Sequence, residues 1–472
     1  MRPIETLLVL GNALTLFVLA VPLPRAVHWM GLFSPIVLLI AVAQVLVEGP
    51  RWQMVPAYVL TGLFFVVWLL QNIAPADGLA GQMWVNRLAV GLGVLSLAVS
   101  IALPMIFPVF RFPKPSGPYG IGTLTYHWVD PSRPEVFTAD PNDRRELMVQ
   151  IWYPAKVDPS SPRAPYVRNP GTLAPLARLL HLPEFIFGHL KYITINAIKS
   201  APVANGESSY PVLILSHGRG GYRQENTLQV EELVSHGYIV AAIDHPYAAA
   251  GVVFPDGRLA AFDPRMMDRT FENGIVPYLA QDAIFTLDQL AALNQADPNG
   301  ILTGRLDLGH AGIFGLSLGG EVTTEACRLE PRFRACLTMD VWMPPNVVET
   351  GLRQPTMFIT RDAESMRLEG WSQADIDRTL STMRAVFESL PGDGYFVRVP
   401  GMFHLDFSDA SLLSPLTSWL GVTGPINPQR ARTIMNTYEL AFFDRHLKGL
   451  SEVLLDGPAK QYPEVFFETR RP

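Results

Sequence analysis

Hydrophobic positions follow two different patterns on either side of residue 110. Before it come four nearly unbroken apolar stretches, approximately Thr6–Pro22, Trp29–Val47, Met54–Leu70 and Leu88–Phe110. Each is close to the ~20 residues that carry a helix across a bilayer. None alternates with a polar face, as the helices of a soluble bundle would. Charges fall between the stretches: Arg25, then Glu48 and Arg51, then Asp77 and Arg87, then Arg111 and Lys114. Trp29, Trp52 and Trp84 lie near the ends, where indole rings favour the membrane interface. Pro56, Pro104 and Pro108 are tolerable inside such a bundle, because neighbouring helices satisfy the freed carbonyls. A cleaved signal peptide would explain the first stretch but not the next three. The pattern predicts an all-α, four-helix transmembrane region over residues 1–110, and hence a multi-pass integral membrane protein.

Arg111–Gly122 (RFPKPSGPYGIG) is rich in Pro and Gly and reads as the linker that leaves the membrane. From Thr123 onward short apolar runs alternate with amphipathic segments. Val212–Leu215, Tyr238–Ile243, Ala311–Phe314, Ala335–Met339, Met357–Thr360 and Tyr395–Val399 read as buried strands; Thr227–His236, Tyr278–Ala296 and Leu318–Arg328 read as helices. Strands alternating with helices predict a mostly parallel sheet flanked by helices, an α/β class domain over residues 123–472. Arg163–Ala204 is an apolar-rich insertion whose Leu176, Leu179, Leu180, Phe185, Phe187 and Leu190 suit a lid, an acyl pocket or plain core. The last helix, about Asn427–Lys448, carries Ile434, Tyr438, Ala441 and Phe442 at helical spacing and is expected to pack on the sheet.

Composition narrows the function. Net charge is −6 with no basic block, which argues against a nucleic-acid partner. There are two cysteines, Cys327 and Cys336, and no CxxC, so neither a disulfide scaffold nor a zinc site is indicated. They read as buried free thiols, with a local disulfide as the alternative in an oxidising compartment. No metal cluster or nucleotide motif is present, and no cofactor is expected. With four spans, Arg2, Arg51, Arg111 and Lys114 share the side of the catalytic domain and Arg25 and Arg87 the other. The positive-inside rule then leans toward a cytoplasmic catalytic domain.

Gly315-Leu316-Ser317-Leu318-Gly319 matches G-x-S-x-G, with a strand before it and a helix after it. That context lifts a weak pattern into a nucleophile elbow, where the serine hydroxyl projects above the sheet. A serine nucleophile needs a base, which in such a fold follows the last strand; His404, in PGMFHLDFSD, is placed there. His446 sits among Asp444, Arg445 and Lys448 in the terminal helix and is expected at the surface. Two carboxylates fit the chain order of a triad, Asp340 in LTMDVWMPP and Asp362 in MFITRDAES, and position alone leaves both open. Ser216-His217-Gly218-Arg219-Gly220-Gly221 follows the strand Val212–Leu215 and can turn a backbone N–H into an oxyanion hole, with the N–H of Leu318 as second donor.

Taken in order, IWYPA at Ile151–Ala155, PVLILSHGRGG followed by LVSHGYIVAAIDHP, GLSLGG, RFRACLTMDVWMPP and the HLDFSD loop resemble the platelet-activating-factor acetylhydrolase family of α/β-hydrolases, the lipoprotein-associated phospholipase A2 type. The resemblance runs from about Thr123 to the C-terminus. It implies that the acid is Asp340, in the LDxWM-type segment, and that the second oxyanion donor is the residue after His-Gly, here Arg219. The family commonly carries an apolar residue there, so the charged side chain departs from its pattern while the backbone donor is kept. The four apolar stretches are a further departure. The expected function is hydrolysis of lipid esters, with short or oxidised acyl chains of phospholipids as the substrate class, through Ser317, His404 and Asp340. A broad carboxylesterase or polyester hydrolase is the nearest alternative. A membrane receptor or scaffold with a non-catalytic hydrolase domain is the alternative of another class.

Overall fold

A computed structural model describes residues 1–21, 33–73, 83–167 and 169–471. The expected positions Arg25, Trp29 and Asp77 lie outside them. The chain divides into two compact units.

The first unit holds four helices: α1 (Pro3–Ala20), α2 (Phe33–Val47), α3 (Val55–Ile73) and α4 (Met83–Ile106). Three stretches, Pro3–Ala20, Trp52–Leu70 and Leu88–Ile106, have the length and hydropathy to cross a membrane; α2, 15 residues long, is apolar but shorter. The helices approach closely where residues are small: a Cβ on Gly11 would meet Val37 at 2.7 Å. Buried polar side chains bond across the helices, as helix pairs in lipid commonly do. Asn12 donates to the carbonyl of Ala57 at 3.1 Å and accepts from Thr61 at 3.0 Å. At one end Arg51 pairs with Glu5 through two contacts of 2.7 and 2.6 Å and donates to the carbonyl of Phe107 at 2.9 Å.

Two segments distant in sequence, Phe185–Tyr192 and Leu413–Leu416, cluster with this unit. Trp52 donates to the carbonyl of Ile186 at 3.2 Å, Phe185 meets the Trp52 ring edge-on at 5.4 Å, and Tyr192 donates to the carbonyl of Pro50 at 2.5 Å. Part of the apolar-rich insertion thus belongs with the helices.

The second unit is built on one sheet. In chain order its elements are β1 (Gly120–Pro134), β2 (Arg144–Ala155), β3 (Arg163–Pro165), α5 (Leu173–Leu179), β4 (Thr194–Lys199), β5 (Tyr210–Ser216), α6 (Thr227–Ser235), β6 (Ile239–Asp244), β7 (Gly251–Val253), β8 (Leu259–Ala261), α7 (Arg269–Gln295), β9 (Leu306–Leu316), α8 (Leu318–Leu329), β10 (Phe333–Met339), α9 (Pro345–Thr350), β11 (Thr356–Thr360), α10 (Ala363–Leu368), α11 (Gln373–Ser389), β12 (Gly394–Arg398), α12 (Pro428–Lys448) and β13 (Phe466–Arg470). The sheet has eleven strands in the order β13-β12-β11-β10-β9-β5-β6-β2-β1-β4-β3. Neighbours from β6 through β5, β9, β10 and β11 to β12 are parallel; β2 and β13 flank them antiparallel. This is the α/β-hydrolase arrangement expected from the alternation of strands and helices.

The parallel strands are buried on both faces, which is why their sequences read as continuous apolar runs. Gly120–Gly122, read as linker, opens β1. Ile434, Tyr438, Ala441 and Phe442 are buried in α12 as expected. His446 is half-buried rather than fully exposed: it packs on Phe442 and bonds the hydroxyl of Tyr395 at 3.1 Å, and burial lowers its pKa to about 4. The cysteines are not free. Cys327 near the end of α8 and Cys336 in β10 form a disulfide, their Cα atoms 6.6 Å apart.

Candidate active site

The C-terminal ends of parallel strands are where such sheets hold their ligands, and the residues singled out above gather there. β9 ends at Leu316 and α8 begins at Leu318, so Ser317 alone makes the turn, at φ 54° and ψ −126°. That conformation is costly for a residue with a side chain, and the neighbours enforce it. A Cβ on Gly315 would lie 2.2 Å from the carbonyl oxygen of Gly319, and one on Gly319 would lie 2.1 Å from that of Ser216. The Ser317 N–H donates to the carbonyl of Met339 at 3.0 Å, which ties the turn to the end of β10.

Asp340 follows β10 with φ 44°. Its carboxylate is buried and lies 2.6 Å from Nδ1 of His404. It also accepts from Thr360 at 3.0 Å and from Nε of Arg361 at 3.0 and 3.2 Å. Burial pushes the Asp340 carboxyl up, but the Arg361 charge and the hydrogen bonds from His404 and Thr360 outweigh it and hold it below the ordinary carboxylate range. Arg361 is itself fully buried, pairs with Glu369 and lies 4.5 Å from the Trp371 ring. Glu369 in turn accepts the backbone N–H of His404 at 3.2 Å. Asp362 makes no such contact with His404; its side chain caps α10 by accepting from the N–H of Ser365 at 2.9 Å.

With Nδ1 donating to Asp340, Nε2 is the ring nitrogen left to exchange a proton with a substrate. His404 follows β12 and Val399, and Asp406 fixes the loop by accepting from the N–H groups of Phe403 at 2.7 Å and Gly424 at 2.6 Å. Ser317, Asp340 and His404 line one cavity of about 490 Å³, together with Arg219, Trp342 and Trp371. The insertion 163–204, expected as a lid or acyl pocket, contributes none of the residues lining it, among the described residues.

The turn after β5 is held from below. Gly218 donates to Glu225 at 2.5 Å, and burial pushes the Glu225 carboxyl up to about 8. His217 bonds the carbonyl of Gly218 through Nδ1 at 2.7 Å and accepts the N–H of His245 at Nε2, 3.0 Å away. Burial lowers its pKa to about 3, so it is neutral. The backbone N–H groups of Arg219 and Leu318 have no acceptor among the described residues. The Arg219 side chain pairs with Glu272 at 3.1 Å. Beneath the turn lies a second serine–histidine–aspartate chain: Ser216 Oγ is 3.0 Å from His245 Nε2, whose Nδ1 is 2.8 Å from Asp282.

Sequence reasoning missed Arg361, Glu369, Trp371 and Glu225. Arg361 carried a signal, since it directly follows β11, the strand beside that of Asp340. The others reach the site from loops and short helices with no motif. Among the described residues no group of three His, Cys, Asp or Glu side chains is arranged to hold a metal ion.

A family model described as platelet-activating factor acetylhydrolase, isoform II, matches residues 105–258 and 293–454. A platelet-activating factor acetylhydrolase of Cavia porcellus is 23% identical over 411 residues, covering 80% of this chain and 85% of its own. A probable 1-alkyl-2-acetylglycerophosphocholine esterase of Arthroderma benhamiae is 24% identical over 393 residues, 76% of this chain and 94% of its own. Among solved structures, a ferulic acid esterase from Streptomyces cinnamoneus superimposes with a TM-score of 0.63 at 29% identity, covering 76% of this chain and 99% of that one.

Proposed function

The chain belongs to the platelet-activating factor acetylhydrolase, isoform II, family and is a carboxylic ester hydrolase, and from that premise we propose that it cleaves lipid esters through Ser317, His404 and Asp340 by way of an acyl-enzyme. The observation that carries the reading is the 2.6 Å contact of His404 Nδ1 with the buried Asp340, at the cavity that Ser317 also lines.

Ser317 Oγ attacks the ester carbonyl while its proton passes to Nε2 of His404. The negative oxygen of the tetrahedral intermediate accepts from the unused N–H groups of Leu318 and Arg219, in a setting where fixed donors act more strongly than water does. Collapse expels the alcohol, which takes the proton from His404. Water, deprotonated by the same imidazole, then attacks the acyl-enzyme and frees Ser317. Asp340 holds the imidazole in the tautomer that leaves Nε2 free and stabilises its cation. Arg361 keeps Asp340 ionised, as that stabilisation requires.

The substrates are phospholipids with short or oxidised acyl chains. The names of the relatives support a small acyl group on a glycerophospholipid. The first unit makes the protein a multi-pass membrane protein, which meets bilayer-resident esters at high effective concentration. The likeness to a ferulic acid esterase favours a second reading, a broader carboxylesterase. The two separate on full-length protein in vesicles. Short-acyl phospholipid in the same bilayer is cleaved with higher kcat/KM than para-nitrophenyl acetate on the first reading, and the ranking reverses on the second. The sidedness of the catalytic domain rests on two opposed signals. The basic residues favour the cytoplasm. The disulfide persists where thiols are not kept reduced and weighs for the opposite side, which we take as the orientation. Protease added outside intact cells cleaves the catalytic domain on that orientation and spares it on the other.

A further inference from the structure

Most polar side chains around the cavity are paired with one another. Arg219 bonds Glu272, and Arg269 bonds Asp375 at 2.5 Å. Two lining groups are not. Oε2 of Glu321 and the indole N–H of Trp342 are buried, lie against each other without a well-aligned hydrogen bond, and have no other partner among the described residues. Glu321 is 1% exposed. A polar atom left in that condition costs free energy comparable to a lost hydrogen bond, and such atoms in a binding cavity are completed by what binds there.

Resting on the ester hydrolase reading above, we propose that Glu321 and Trp342 form a polar subsite that takes an acceptor oxygen carried by the substrate away from its scissile carbonyl. Glu321 is four residues after Ser317 in α8, one helical turn and about 6 Å along the axis. An oxygen a few bonds from the ester carbon therefore reaches it. Trp342 has only a donor to offer. Burial and the neighbouring Glu272 carboxylate push the Glu321 carboxyl well above its usual range, against the pull of Arg378, Arg219 and the Trp342 indole. A protonated Glu321 is a second donor. The guanidinium groups of Arg269 and Arg378 lie 5.2 and 4.9 Å from the Trp342 ring, adding positive potential. A keto, ether or carboxylate oxygen satisfies both donors; an alkyl chain satisfies neither. The oxygen can sit on the acyl arm or on the alcohol arm, and two sets of esters separate these sources.

The test compares para-nitrophenyl levulinate with para-nitrophenyl valerate, and the acetate of a keto-alcohol with that of the matching alkyl alcohol, on full-length protein. The readout is the kcat/KM ratio within each pair, so a general loss of activity cancels. Wild type should favour the keto ester tenfold or more in one pair, and that pair names the arm. Glu321→Leu should bring the ratio near one, and Glu321→Gln, which keeps a donor, should restore most of it. Trp342→Phe removes the N–H while keeping an aromatic ring and should lower the ratio even where the Leu variant fails to fold. Hydrolysis of all four esters without preference overturns the subsite but leaves the hydrolase reading standing, as does a preference unmoved by Glu321→Leu and Trp342→Phe. Hydrolysis of none overturns both.

Discussion

Two sets of serine, histidine and aspartate lie within this domain, Ser216 with His245 and Asp282 and Ser317 with His404 and Asp340, and they differ in what surrounds them. Ser216, His245 and Asp282 are all essentially buried, and Asp282 is clamped by Arg145 at 3.0 and 2.7 Å and by Arg133 at 2.9 Å. Ser216 is an ordinary strand residue at the end of β5. Ser317, His404 and Asp340 border a cavity, Ser317 and Asp340 have positive φ, and unused N–H groups stand beside the serine. The histidine–aspartate contact, 2.8 Å in one and 2.6 Å in the other, does not separate the two. Backbone strain, access and free donors do, and these are the features that chemistry at a carbonyl needs. The buried chain supports the turn that carries Arg219; the open one holds the reacting serine on the reading proposed above.

The largest contrast is between the serines. Ser317→Ala should lower kcat by on the order of 10⁶, as loss of the nucleophile does in another triad enzyme. Ser216→Ala should cost tenfold or less, measured on the same water-soluble ester. Equal losses would erase the distinction.

The acids come next. Asp340→Asn should reduce kcat by about 10⁴, since the amide no longer holds the productive tautomer. Asp282→Asn should instead cost stability, on the order of the 3–5 kcal/mol seen when a buried pair is broken, because Arg145 and Arg133 then share the buried site with Glu135 and Asp130 as their remaining carboxylate partners; thermal unfolding reads that difference. Asp362→Asn, which keeps a capping side chain, should leave both quantities nearly unchanged.

Arg361 gives a smaller effect with a defined sign. It lowers the pKa of Asp340, so Asp340 contributes stability above its unfolded-state pKa that is lost as pH falls through the folded-state value. Arg361→Gln should remove part of that contribution, so its stability falls less steeply on acidification. The lost positive charge should also move the acid limb of kcat/KM to higher pH.

Glu225 provides the smallest and most local test. Its pKa is raised to about 8 by burial. A raised carboxyl gives stability that is present below its unfolded-state pKa and is lost as pH rises through the folded-state value. Glu225→Gln should keep the contact with Gly218 and flatten the loss of stability that the wild type shows as pH rises from the carboxyl's ordinary value of 4.5 to about 8.

The open site was largely legible in the sequence because its parts obey local rules. A strand, a G-x-S-x-G turn and a helix specify Ser317 within five residues, and His404 is found by following the last parallel strand. The choice between Asp340 and Asp362 was not local. They follow adjacent parallel strands, with Met339 paired to Ile359. What separates them is the positive φ of Asp340 and the helix that Asp362 caps. Ser216, His245 and Asp282 are separated by long stretches and share no motif, so only the packing of β5, β6 and α7 joins them. The sequence left the two cysteines between free thiols and a local disulfide for the same reason, since bonding depends on where a helix end and a strand meet. Glu321 was hidden by its setting: an acidic residue one turn into a helix is ordinarily a favourable surface choice, and its burial follows only from the elements that cover α8.

Labelling with a fluorophosphonate, followed by mass spectrometry of the modified peptide, tests the central claim most directly. Full-length protein should carry one adduct on Ser317 and none on Ser216, and the Ser317→Ala variant should carry neither. An adduct on Ser216, or labelling that survives in Ser317→Ala, would contradict the assignment of Ser317 as the nucleophile.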